Sequence, residues 1–341
     1  MGLARAVSAR SVAAGEGRYN SALCVLASIP MLLTHGAADA ALPPVALTVG
    51  NFDGVHRGHQ AMLERLTDEA RRRGLMSCVL SFEPHPREFF APLAAPTRLT
   101  SLREKCELLA ARGLERLHLQ RFTRSFSAVA PEAFVEQILA ARLKARWLLV
   151  GEDFRFGARR AGDIPLLKSL AGRHGYEVQV MPVVAHAGSR VSSSAVRAAL
   201  AAGELASAEA LLGRPYSISG RVVHGRKLGR ELGFATANVQ FRHNRPPLTG
   251  IYAVRVHGVG GAARPAVASL GVRPTITASG RAVLEVHLLD FAGDLYRRHV
   301  RVEFLHKIRD EEKYPDLETM KAQIERDCDA ARRFLLEHGN A

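Results

Sequence analysis

Apolar and polar positions divide the chain into two stretches of different rhythm. From Val45 to about Leu200, short aliphatic runs alternate with segments whose apolar residues recur every three or four positions. Ala46–Val49, Met76–Phe82, Arg116–Gln120, Trp147–Val150 and Glu177–Met181 read as strands, and Leu102–Arg112 and Pro131–Leu143 as amphipathic helices. Such alternation predicts a parallel sheet covered by helices on both faces. After Leu212 the rhythm changes. Gly213-Arg214-Pro215 breaks a helix, and Tyr216–Val223, Ile251–Val256, Ala266–Leu270, Ala282–Leu289 and Val300–Phe304 follow with period two, punctuated by glycines. These predict an antiparallel domain closed as a barrel. Between Pro315 and His338, the residues Leu317, Met320, Ile324, Cys328 and Ala331 fall on one face of a C-terminal helix. The expected organisation is an extension over 1–44, of which at least 1–30 has no packed structure, an α/β domain over 45–212, and a barrel domain over 213–341.

Composition narrows the partners. The net charge is +14, which invites a nucleic-acid hypothesis. Its distribution argues against one: there are three basic and two acidic residues before position 45, 23 and 17 over 45–212, and 21 and 14 over 213–341. A diffuse excess suits anionic small substrates, and 6% aromatic residues give little material for stacking bases. No apolar run reaches the roughly 18–20 residues of a membrane span. Cys24, Cys78, Cys106 and Cys328 have neither metal-type spacing nor a disulfide framework, so reduced thiols in a cytoplasmic protein are expected. The first 30 residues are Arg-rich but lack the charge order of a signal peptide, and Met31 makes a sensible start.

Candidate chemistry concentrates between Val45 and Gln60. A β-branched run stops at Gly50, the turn Asn51-Phe52-Asp53-Gly54 follows, and His56 and His59 flank Arg57-Gly58. Met62, Leu63, Leu66 and Ala70 then share a helix face up to Gly74. The histidines therefore sit where a buried strand becomes a helix, and helix N-termini collect anions through free N–H groups and the dipole. Gly58 leaves the backbone open to close approach. The spacing is i, i+3, whereas a helical metal pair uses i, i+4. A phosphate site and a pair of capping histidines are the two readings this segment allows by itself.

A second cluster lies in the barrel region. Thr236 and Asn238 are two apart in an extended stretch, so their oxygens face one side and make a partial site for Mg²⁺ held jointly with nucleotide phosphates. Gly225, Gly229 and Gly233 allow a flap, and Lys227 supplies charge to it; a polar strand edge beside a flexible hairpin is the alternative. Glu285, in Leu284-Glu285-Val286-His287, puts a carboxylate into an apolar strand, which is costly unless it is functional or paired.

Taken together, Gly50-Asn51-Phe52-Asp53-Gly54-Val55-His56-Arg57-Gly58-His59 resembles the HxGH signature of nucleotidylyltransferases. More specifically it resembles the adenylyltransferase half of bacterial bifunctional riboflavin kinase/FAD synthetases. Further blocks are similar to the same family: Ser81-Phe82-Glu83-Pro84-His85-Pro86-Arg87-Glu88-Phe89-Phe90, Gly151-Glu152-Asp153-Phe154-Arg155-Phe156-Gly157 with Gly162-Asp163, and Val191-Ser192-Ser193-Ser194-Ala195-Val196-Arg197. Gly220 to Asn238 resembles the nucleotide-binding region of riboflavin kinases, and the blocks Leu270–Thr275 and Gly293–Tyr296 match near the flavin pocket. The resemblance runs from about Val45 to the C-terminal helix.

It implies a Rossmann-like nucleotidylyltransferase domain followed by a riboflavin kinase barrel. ATP, riboflavin and FMN would be substrates, FAD the product, Mg²⁺ the metal, and the chain a monomer or weak homo-oligomer without nucleic acid or membrane as its main partner. The resemblance makes His56, His59 and Arg197 catalytic for adenylyl transfer, with Gly50, Phe52, Gly58, Ser193 and Ser194 around the nucleotide. It makes Glu285 the general base of the kinase, Thr236 and Asn238 the metal ligands, Gly225, Lys227, Gly229 and Gly233 the nucleotide flap, and Arg273 and Tyr296 flavin contacts. Asp53, Asp163 and His85 have turn or cap roles as alternatives to site roles, and Phe52 has a plain core role as its alternative. Two departures stand out: Ala235 where the family usually has proline, and Arg297 where it commonly has glycine, a strained position if that glycine uses positive φ. The rival readings are a single-activity adenylyltransferase and a non-catalytic flavin- or RNA-binding regulator.

Overall fold

The structure is a computed structural model that describes residues 22–24, 31–36, 41–186, 188–224, 234, 236–241, 245–273 and 281–338. Its first layer system is a seven-stranded sheet in the order β1-β2-β5-β4-β3-β6-β7. The strands are β1 Ala22–Cys24, β2 Met31–His35, β3 Val45–Val49, β4 Met76–Glu83, β5 Arg116–Arg121, β6 Ala145–Gly151 and β7 Glu177–Met181. All pairings are parallel except that of β1 with β2.

Alternation along each central strand feeds two cores. Ala46, Val79, Trp147 and Leu149 point to one side with Leu63 and Leu66 of the first helix, Arg57–Arg73. Val45, Leu47, Cys78, Leu80, Leu148 and Val150 point to the other, against Phe134, Val135, Ile138 and Leu139. This is the two-faced burial that near-continuous apolar strands require. The first helix ends where Gly74 takes the left-handed conformation (φ 64°), with Arg71, Arg72 and Arg73 in the last turn against its dipole. The segment expected as one α-helix over Pro131–Leu143 is helical but changes pitch: Phe134–Arg142 is a π-helix, and Leu143 N–H donates to the carbonyl of Ile138.

One boundary differs from expectation. The segment 1–44 is not wholly outside the domain, because β2 pairs in parallel with β5 and Met31 is fully buried in the first core. Part of 1–30 is also structured, since Ala22–Cys24 pairs antiparallel with β2. Five residues of β2 carry too little periodicity to register as a strand; their partners, β5 and β1, are supplied by the fold.

Short helices Ser193–Ala201 and Leu205–Leu212 lead to the barrel, whose order is β10-β11-β14-β13-β12-β15. Its strands are β10 Tyr216–Val223, β11 Thr236–Gln240, β12 Gly250–His257, β13 Arg264–Arg273, β14 Arg281–Leu288 and β15 His299–Arg309; β8 Ala185–His186 and β9 Ser189–Arg190 form a separate hairpin. Closure of the ring removes the unpaired edges of an open sheet. Inside lie Ile218, Val239, Tyr252, Leu284, Val286 and Phe304, and this core continues without a break into Val196, Leu200, Ala208 and Leu212 of the two helices. Outside, the C-terminal helix Leu317–Glu337 lays Cys328 and Ala331 on Ile251, Ala253 and Val267. Among the described residues no helix is long and apolar enough to cross a membrane.

Candidate active sites

The first site forms at the carboxyl end of β3, where parallel sheets bind ligands. His56 is the N-cap of the first helix, and its Nδ1 accepts the N–H of His59 at 3.3 Å. A neutral imidazole that accepts at Nδ1 carries its proton on Nε2. The rings of His56 and His59 stack at 3.7 Å, and Phe52 lies 4.7 Å from His59. Burial lowers the His56 pKa to about 4; nearby Asp53 opposes the shift, and Arg197 and Arg214 add to it. His59 is also held neutral, first by burial, then by the stacked His56, beside which a second proton would be repelled, and by the charge of Lys105. Both rings are thus neutral hydrogen-bond donors or acceptors near pH 7. Gly58 lacks a side chain where a Cβ would come within 3.2 Å of His56 Nδ1, and Gly50 does so where one would crowd Phe52 at 3.1 Å.

Asp53 organises the surroundings. Its buried carboxylate accepts from Leu99 N–H at 3.0 Å, Thr100 N–H at 3.0 Å and Thr100 Oγ1 at 3.1 Å, and pairs with Arg197 Nη2 at 2.5 Å. The helix beginning at Ser193 approaches the same turn, since Ser193 Oγ donates to the carbonyl of Asp53 at 2.9 Å. Two helix N-termini therefore converge beside the histidines, each with unpaired N–H groups and positive dipole. Arg197 Nε donates to the carbonyl of Thr97 at 2.6 Å, so its Nη1 is what it can offer an anion. Ser194 is exposed at the start of that helix. His85 is a cap: its Nδ1 accepts from Arg87 N–H at 3.1 Å, and Glu88 closes the box. Asp163 likewise caps Ile164–Ser169 and pairs with Arg155 at 3.4 Å. Sequence reasoning missed Leu99 and Thr100 as the seat of Asp53 and Thr97 as the carbonyl partner of Arg197, and missed Lys105, a buried lysine whose charge acts on both His59 and His85. Backbone donors leave no composition signal, and Lys105 falls on an ordinary helix pattern.

The second site forms on the outer face of the barrel. β11 and β14 pair antiparallel with Thr236 opposite His287 and Asn238 opposite Glu285, while Val239, Leu284 and Val286 point into the core. Cross-strand partners share a face, so hydroxyl, amide, carboxylate and imidazole come together although they are some fifty positions apart in sequence. β13 adds Ser269 opposite Glu285, and Ser269 Oγ donates to Glu311 at 3.2 Å. The turn bearing Tyr296 docks on the end of β10: Arg297 N–H donates to Val222 carbonyl at 3.0 Å, and the Tyr296 ring lies 3.8 Å from His224. Arg297 does adopt positive φ, 65°. Gly225, Lys227, Gly229, Gly233 and Ala235 lie outside the described residues, as does the Arg273 side chain. Among the described residues no group of three His, Cys, Asp or Glu side chains is placed for a metal ion. The hydroxyl and amide of Thr236 and Asn238 are hard oxygen donors of the kind Mg²⁺ takes when phosphates supply most of its shell.

A parallel sheet presenting neutral histidines at a helix start, joined to a closed barrel with a polar outer patch, defines a phosphoryl- and nucleotidyl-transfer enzyme. Residues 39–195 match the family model described as FAD synthetase and residues 212–335 the one described as riboflavin kinase. The bifunctional riboflavin kinase/FMN adenylyltransferase of Escherichia coli strain K12 is 48% identical over 301 residues, 88% of this chain and 96% of that protein. Those of Pseudomonas fluorescens and Haemophilus influenzae are 48% and 42% identical, over 84% and 87% of this chain and 91% and 96% of theirs. A crystal structure described as a macrolide-efflux protein from Streptococcus pneumoniae superposes with TM-score 0.75 at 28% identity, covering 88% of this chain and 98% of that one; that description belongs to that protein. The chain belongs to the bifunctional riboflavin kinase/FMN adenylyltransferase family, with the FAD synthetase domain N-terminal and the riboflavin kinase domain C-terminal.

Proposed function

We propose that the two reactions of the family run at the two sites just described, with the residues in the following roles. In the barrel, the 5′-hydroxyl oxygen of riboflavin attacks the γ-phosphorus of ATP. The bond to the β–γ bridging oxygen breaks, ADP leaves, and the hydroxyl proton passes to Glu285. Asn238 faces Glu285 across the strand pair, which keeps the base beside the phosphate-binding edge. Thr236 and Asn238 would hold Mg²⁺ together with the nucleotide phosphates, and the ion when bound neutralises phosphate charge. By the family resemblance, Gly225, Lys227, Gly229 and Gly233 would bind the nucleotide, and Arg273 and Tyr296 the flavin.

In the α/β domain, a phosphate oxygen of FMN attacks the α-phosphorus of ATP, the α–β bridge breaks, and pyrophosphate leaves. No protein nucleophile is needed, so catalysis consists of positioning and charge stabilisation. His56 Nε2–H and His59 donate to the transferring group, the two helix N-termini contribute backbone N–H groups, and Arg197 Nη1 with Ser193 and Ser194 meets the departing pyrophosphate. Gly50, Phe52 and Gly58 shape the nucleotide side. The observation that carries this reading is the capping of His56 through Nδ1, which leaves a neutral Nε2–H beside two converging helix N-termini. We further assign the protein to the cytoplasm as a monomer or weak homo-oligomer, in keeping with the buried thiols of Cys78 and Cys328.

The test is to incubate the protein with riboflavin, ATP and Mg²⁺ and to resolve FMN and FAD over time, with a parallel run on supplied FMN. Accumulation of FMN followed by FAD is expected. Failure to form FAD from supplied FMN would refute the reading of the first site.

A further inference from the structure

The backbone that carries His56 is strained. Phe52 and Val55 both adopt left-handed conformations, with φ of 49° and 41°; for a β-branched residue such as Val55 this is rare. Geometry of that kind persists where the surroundings over-determine it, and here the surroundings come from the junction with the barrel. Arg214 Nη2 donates to the carbonyl of Gly54 at 2.8 Å, and Nη1 to those of Val55 at 3.2 Å and Leu212 at 3.4 Å. Gln60 Nε2 reinforces the clasp, donating to Val55 at 2.8 Å and Leu212 at 2.6 Å. Arg57 Nε donates to the carbonyl of Ala210 at 2.7 Å. Gly213, at φ 72°, ends the Leu205–Leu212 helix close enough that a Cβ would meet Gln60 at 3.2 Å. Of the residues that hold the histidine turn, Arg214 thus lies beyond the FAD synthetase match, which ends at 195, and two positions before β10 begins.

We propose that Arg214 is a positioning residue for adenylyl transfer: by holding the Gly54 and Val55 carbonyls it fixes the left-handed turn and, through it, the direction of His56 Nε2–H. The inference rests on the reading of the first site given above. It makes the FAD-forming site complete only when the first residues of the barrel domain are docked on it, so the second domain contributes to a reaction it does not perform. Arg214 touches no reacting atom in this account; it acts through backbone geometry.

The test uses the full chain with Arg214→Met, which keeps an apolar stem and removes every donated bond, and Arg214→Lys, which keeps one cationic donor. FAD formation from FMN and ATP and FMN formation from riboflavin and ATP are measured on the same samples. For Arg214→Met, kcat for FAD formation should fall about tenfold to a hundredfold, the range expected of a misplacement near 1 Å. The KM values for FMN and ATP should move by less than about threefold, since ground-state contacts stay. FMN formation, which uses neither the turn nor Arg214, should hold within about twofold. Arg214→Lys should recover part of the lost kcat. Unchanged FAD formation in Arg214→Met would overturn the proposal, as would a rise in KM with kcat intact. If both variants lost both activities together, Arg214 would be a general fold residue and the proposal would fall. Failure of the underlying reading looks different: the wild-type chain would form no FAD from supplied FMN, and this proposal would go with it.

Discussion

Lowering the pH from 7 to 5 should cost the α/β domain about 2 kcal/mol through His56 alone. In the folded chain burial lowers this imidazole to about 4, with Asp53 opposing and Arg197 and Arg214 assisting, and the stacked His59 ring covers one face. In the unfolded chain it titrates at its ordinary value near 6.5. Between these values the unfolded chain binds a proton that the folded chain does not, so stability falls as the pH falls. The contribution is intact above pH 6.5 and is lost progressively toward pH 4. At about 1.4 kcal/mol for each tenfold change in proton affinity, the whole displacement amounts to about 3 kcal/mol, of which roughly 2 falls between pH 7 and 5. The assay compares equilibrium unfolding of wild type and His56→Gln at the two pH values; glutamine keeps an acceptor for the His59 N–H but has no proton to bind. Wild type should lose about 2 kcal/mol more than the variant over that interval. Equal losses in both proteins, or an imidazole titration by NMR with its midpoint near 6.5, would refute the claim that His56 works as a buried neutral donor.

His59→Ala should abolish FAD formation while FMN formation continues, because the two sites lie in different layers of the fold. Loss of one preorganised donor costs on the order of 3 kcal/mol, about a hundredfold or more in rate, and wild-type FAD synthesis in this variant would remove the ring from the mechanism. Glu285→Gln should lower FMN formation by about 10²–10⁴-fold with little change in nucleotide affinity, whereas Thr236→Val should weaken Mg²⁺-dependent nucleotide binding; measured kcat and KM separate the two effects. A chain beginning at Met31 should keep both activities. One beginning at Ala41 loses β2 with the buried Met31 side chain and should melt several degrees lower, since a buried methionine is worth about 2–5 kcal/mol; equal melting would show that β2 adds nothing to the sheet.

How much of this was legible in the sequence depends on the range of the interaction concerned. The strand-to-helix junction at Gly50–His59, the alternating α/β stretch, the period-two barrel and the C-terminal helix are all local patterns, and each is present in the structure close to its expected place. The pairing of Thr236 and Asn238 on one face was readable from spacing alone. Their meeting with Glu285 was not, because register between β11 and β14 is set by the packing of Val239, Leu284 and Val286 inside the closed ring. Likewise Arg197 could be named as a cation near phosphates, but its ion pair with Asp53 depends on the Ser193 helix docking against a turn some 140 positions earlier.

What the sequence by itself determined is therefore the set of elements and the residue types that bear the chemistry, since both follow from periodicity, capping and side-chain reactivity within a few positions. The tertiary structure decided which strand filled the open edge of β5, how the protonation of His56 and His59 was fixed, and that Arg214, beyond the first domain's own match, holds the turn that carries them. Those outcomes turn on burial and on backbone carbonyls. A carbonyl is the same at every position in a chain, so only the fold can say which one an arginine will find.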